Sequence, residues 1–159
     1  MSPEEARTLM MEWVESEALR THMECVAACM YSYCTGDAQE RDTWTVAGLL
    51  HDFDYQRHPS VEEHPFVGVE YLRNNTDICE EVIEAILGHA TYTGVNRTTD
   101  MAKTLFAVDE LAGFIVACAL VRPTGLEGMQ AKSVKKKLKN KNFAAAVSRE
   151  DIAVGIEEL

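Results

Sequence analysis

Apolar residues recur at a period near 3.6 along almost the whole of this 159-residue chain, and no run of β-branched residues alternates between turn signals as a strand would. That pattern restricts the fold to an all-α one, in which every helix needs neighbours for its apolar stripe. With 47% hydrophobic residues, the chain can bury one sizeable core, and its length leaves little room for a second. We therefore expect one domain over residues 1–159, an all-α bundle of about seven or eight helices.

Caps and breakers place the helices. The spacing predicts a first helix from about Pro3 to Val14 and a second from Ser16 to Tyr33, with Leu19, His22, Met23, Val26 and Met30 on one face. A third, from about Arg41 to Phe53, leaves His51 and Asp52 at a helix C-terminal end. Ser60 and Glu63 are spaced as a capping box, so a fourth helix is expected from Glu62 or His64, with Pro65 in its first turn. Thr76 or Asp77 is placed to cap a fifth, whose apolar face carries His89. Thr98 or Thr99 opens a sixth that reaches Val121 before Arg122-Pro123 stops it. Short helices over about Gly128–Lys139 and Arg149–Glu158 complete the expectation.

Charge narrows the functions open to such a bundle. A net charge of −11 and a pI near 4.8 repel duplex nucleic acid and anionic membranes, and favour a small-molecule substrate. The apolar stretch Leu105–Val121 is interrupted by Asp109 and Glu110, so it reads as a buried helix and not as a membrane span. The first residues lack the basic and apolar segments of a signal peptide, and the five cysteines include no CxxC pair. Both point to a reducing, cytoplasmic setting. Against the acidic background, Lys132, Lys135, Lys136, Lys137, Lys139 and Lys141 hold six of the fifteen basic residues.

The chemistry is carried by imidazoles and carboxylates on apolar helix faces. Asp109 stands among Leu105, Phe106, Ala107, Val108, Ala112 and Gly113, where an unpaired carboxylate would cost several kcal/mol or take up a proton. A cation would keep it ionised. His22, His51, Asp52 and Asp109 form a donor set that borderline and hard divalent ions accept. His51 and Asp52 point about 100° apart on a helix, so Asp52 is able to bridge to a second ion held by His64 and His89. A lone histidine on an apolar face is usually a hydrogen-bonded core residue; it is the conjunction of four histidines and two aspartates on consecutive helices that favours metal.

The order His22, His51-Asp52, His64, His89, Asp109 resembles the HD superfamily of metal-dependent phosphohydrolases. Within it, the chain is similar to a small subgroup of predicted hydrolases through Ala47-Gly48-Leu49-Leu50-His51-Asp52-Phe53-Asp54-Tyr55, His64-x-x-Val67-Gly68, His89-x-x-Tyr92-Thr93-Gly94 and Asp109-Glu110-Leu111-Ala112-Gly113. The resemblance implies an HD-type helical bundle and one or two divalent ions, with Mn, Fe, Ni, Co, Mg and Zn all open. It implies ligation by His22, His51, Asp52 and Asp109, with His64 and His89 matching the extra ligands of binuclear members. Position 54 is Asp where many members carry Gly.

The activity implied is hydrolysis of a phosphomonoester or phosphodiester, nucleotides included, by metal-activated water. Asp52 and Asp54 are the catalytic candidates, Asp54 because it lies one turn from His51 and could position or deprotonate the water; its other reading is a hydrogen-bond acceptor at the helix end or in the loop. Thr93, Arg97, Arg122, Lys132, Lys135 and Lys136 are expected to bind the substrate, since an acidic chain needs local positive charge to admit a phosphate. Two alternatives share the pattern: a di-iron oxygenase of the same fold, and a regulatory module that binds metal or nucleotide without turnover.

Overall fold

The structure, a computed structural model, describes all 159 residues. It is entirely helical: α1 (Pro3–Trp13), α2 (Glu17–Tyr33), α3 (Ala38–Leu50), α4 (Phe66–Asn75), α5 (Glu80–His89), α6 (Asp100–Leu120), α7 (Ala131–Leu138) and α8 (Arg149–Glu158). No helix is long and apolar enough to cross a membrane.

Local chemistry sets most of the starts. Ser2 and Glu5 form a reciprocal capping box at α1, while Ser16, Asp37, Thr99 and Ser148 accept from backbone N–H groups at the heads of α2, α3, α6 and α8. Four expected starts move: α3 begins three residues early, at Ala38, and α7 three residues late, at Ala131. The Ser60–Glu63 pair forms, at 3.1 Å, but it closes a turn, and α4 begins only at Phe66, after Pro65. Asp77 does not cap α5; its carboxylate takes the Met1 ammonium at 2.8 Å, and Cys79 stands at the head of α5 without a side-chain cap.

The long α6 packs against α2, α5 and α8, and α3 packs against α1, α2 and α5. Their apolar faces meet in a core of 26 buried residues, including Met23, Met30, Leu49, Leu50, Phe53, Ile83, Ile86 and Leu105. The crossing of α2 and α3 is very close, since a Cβ on Gly48 would lie 2.6 Å from the Ala27 backbone. Only glycine permits that approach, and it brings the His22 face of α2 against the end of α3 that carries His51. A second, smaller core holds Phe114, Cys118 and Ile152, with Met129, Val134, Leu138 and Phe143 packed around it.

Candidate metal centre

His51 is the C-terminal cap of α3 and is fully buried. Its Nδ1–H donates to the Gly48 carbonyl at 2.8 Å. A carbonyl can only accept, so in the neutral ring the proton sits on Nδ1 and the Nε2 lone pair faces inward. His89, at the end of α5, repeats the device with the Ile86 carbonyl. In His64, Nδ1–H donates to Asp54 Oδ1 at 2.7 Å. Three imidazoles thus turn their protons outward and their lone pairs into one cluster.

The inward atoms form two groups that share Asp52. In the first, His22 Nε2 lies 2.8 Å from Asp109 Oδ1, 3.2 Å from His51 Nε2 and 3.9 Å from Asp52 Oδ2. His51 Nε2 lies 3.5 Å from Asp109 Oδ1 and 3.6 Å from Asp52 Oδ2. In the second, His64 Nε2, His89 Nε2 and Asp52 Oδ1 make a triangle with every side 3.3 Å. Donors about 2.1 Å from a divalent ion stand roughly 3.0 Å apart at octahedral angles and roughly 3.4 Å apart at tetrahedral ones. Lone pairs facing one another at these distances repel unless a cation or a proton lies between them. The donor chemistry therefore fits two divalent ions.

The ionisation of the protein by itself carries the same message. Burial opposes charge on His51, yet the carboxylates of Asp52 and Asp109 overcome it and raise the ring to about 9. Burial likewise opposes charge on His64, and Asp52 and Asp54 raise it to about 9. Asp52 and Asp109 are held well below the usual carboxylate range, against their burial, by the surrounding imidazoles. The cluster stabilises positive charge at its centre.

Of the two readings of Asp54, the geometry favours the hydrogen-bond acceptor. It is fully buried, with Oδ1 on His64 and Oδ2 accepting from the Gly68 N–H at 2.8 Å. It has no exposed surface and does not line the cavity above the cluster. Instead it fixes the His64 ring and supplies the cap that Pro65 denies α4. A Cβ on Gly68 would lie 2.7 Å from the Asp54 carboxyl carbon, so this contact too depends on glycine. The sequence signal missed was the end of α3 at Leu50: past it, the i, i+3 rule no longer puts residue 54 beside residue 51.

The cluster forms the floor of an open cavity of about 500 Å³. Tyr55, Thr91, Tyr92, Glu110, Ala146, Val147 and Asp151 line it above the floor. None of the expected phosphate-binding side chains lines it. Thr93 donates its hydroxyl to the Leu87 and Ala90 carbonyls at the end of α5. Arg97 is bound to Glu158 and the Gly88 carbonyl and lies over the Phe106 ring. Arg122 holds its own loop through the Gly125 and Glu127 carbonyls. Lys132, Lys135 and Lys136 are exposed on α7. Glu110 and Asp151, which do line the cavity, escaped the sequence reading because one looks like a neighbour of Asp109 and the other like a helix-opening acid.

Among known proteins, the family described as HD domain matches residues 19–113, a span that contains all six inward-facing ligand candidates. No curated protein and no solved structure matches the chain significantly.

Proposed function

The chain belongs to the HD domain family, and from that premise we propose that it is a metal-dependent phosphohydrolase acting on small phosphoesters. The observation that carries this reading is the pair of donor groups sharing Asp52 at the floor of an open cavity. His22, His51, Asp52 and Asp109 would hold one ion, and Asp52, His64 and His89 the other. When bound, such ions supply an acidified water and neutralise charge developing on phosphoryl oxygens.

The protein's own contribution is positioning. His51 and His89 are locked by carbonyls of the preceding helical turn, and His64 by Asp54, so the ligand rings need no reorganisation on loading. Tyr92 donates its hydroxyl to the His64 carbonyl at 3.0 Å, which fixes the cavity wall to the same residue that faces the second group. Asp52 and Asp109 together contribute two negative charges, fewer than two divalent ions carry, so the loaded floor remains positive and attracts an anionic ester.

The test is a panel of phosphomonoesters, phosphodiesters and nucleotides offered to the full chain with Mn, Mg, Ni or Co. Metal-dependent release of phosphate or of an alcohol from at least one ester is expected. Two tightly held irons with substrate-dependent oxygen uptake, and no ester cleaved, would overturn the reading.

A further inference from the structure

The cavity above the ligand cluster contains no lysine or arginine. Every guanidinium and ammonium that the sequence offers for a phosphate is placed or paired elsewhere, Arg97 on Glu158 most firmly. Two carboxylates that the ligand groups do not use, those of Glu110 and Asp151, face the same space. Ser148 N–H donates to Glu110 Oε2 at 3.1 Å, which leaves Oε1 available. The Asp151 main-chain N–H donates to Ser148 Oγ at 3.1 Å, and the Asp151 carboxylate has no partner within the chain. Two half-exposed aromatic rings, Tyr55 and Tyr92, at 45% and 49%, line the same cavity.

A site built for a polyanion places cations around the phosphates. Here the only positive charge available would be on the floor, and the wall beside it is negative and aromatic. A carboxylate pair and an aromatic face are together the chemistry that recognises an organic ammonium.

Resting on the phosphohydrolase reading, we infer that the substrate is a phosphoester of an amino alcohol, with its phosphate on the ligand cluster and its ammonium between Glu110, Asp151 and the Tyr55 and Tyr92 rings. Nucleotides, whose remaining groups are anionic or neutral, are poor substrates of this cavity. Glu110 and Asp151 set specificity and take no part in holding the ions.

The test uses two phosphonates of equal length whose C–P bond is not hydrolysed, so that binding is read apart from turnover. Calorimetric titration of the Mn-loaded full chain with 3-aminopropylphosphonate and with butylphosphonate should show the amine bound about tenfold more tightly, the sum expected for a part-buried ion pair and one aromatic contact. In the Glu110→Gln, Asp151→Asn double variant the ratio should fall to about one. The wild-type ratio is decisive even if that variant folds poorly. Equal affinities, no measurable binding of either phosphonate, tighter binding of AMP than of the amine, or a ratio that survives in the variant would overturn the inference. An amine preference with no ester hydrolysed would support the ammonium site formed by Glu110, Asp151, Tyr55 and Tyr92 but overturn the phosphoester assignment together with the hydrolase reading. Ester hydrolysis with no amine preference would remove this inference and leave that reading in place.

Discussion

The floor and the outer wall of the cavity are built from two unlike parts of the chain. The floor comes from α2, the end of α3, the turn before α4, α5 and α6, backed by 26 buried core residues, and His51 at its centre has no exposed surface. The outer wall, Ala146, Val147 and Asp151, comes from the segment after α6, where the core has three buried residues and α7 has none. One side chain does much of the holding there: the Arg149 guanidinium binds the carbonyls of Asn140, Phe143, Ala144 and Val147 and lies over Phe114. Ala144, at one of those carbonyls, has a φ of 45°, a conformation that a residue with a Cβ rarely adopts. The difference separates ligand geometry, fixed by deep packing, from the Asp151 side of the cavity, carried by a lightly anchored appendage.

The largest expected effect tests the floor. Asp109→Ala or His51→Ala should abolish retention of the first ion and turnover, read by elemental analysis and ester hydrolysis, while circular dichroism shows nearly unchanged helix. A variant that keeps full metal and full turnover would dissolve the distinction. Next, Asp54→Asn should weaken the second ion by roughly 10- to 100-fold, since a ligand's hydrogen-bond partner is altered but no ligand is lost. Competitive chelator titration resolves the two ions, and the affinity of the first should stay unchanged.

Smaller effects belong to the wall. Arg149→Met should lower stability by about 1–3 kcal/mol, because several loop carbonyls lose a charged donor. Urea unfolding measures this, and metal content should not change; loss of metal would show the two parts to be one unit. The smallest effect is expected from Lys132→Ala, Lys135→Ala and Lys136→Ala combined. At physiological salt, kcat/KM should stay within about twofold, as charges outside the cavity are screened.

Much of the floor was legible in the sequence because it follows from local rules. Helical spacing put His22, His51 and His89 on inward faces, the apolar surroundings of Asp109 favoured a cation, and Thr99 is a cap whose chemistry is local. What escaped depends on contacts distant in sequence or on the path of an irregular segment. Arg97 looked free for phosphate because Glu158 lies 61 residues away. Asp54 looked like a base because the turn after Leu50 does not continue the helical phase. Asp77 looked like a cap because the Met1 ammonium that takes it is 76 residues distant.

The central claim is that Asp52 joins two ion sites of unequal ligand sets. Metal stoichiometry by elemental analysis, compared between the wild type and His89→Ala after equal Mn loading and desalting, tests it most directly. The account predicts two ions per chain in the wild type and one in the variant, retained by His22, His51, Asp52 and Asp109. A single ion in the wild type, or the same count in both proteins, would contradict it.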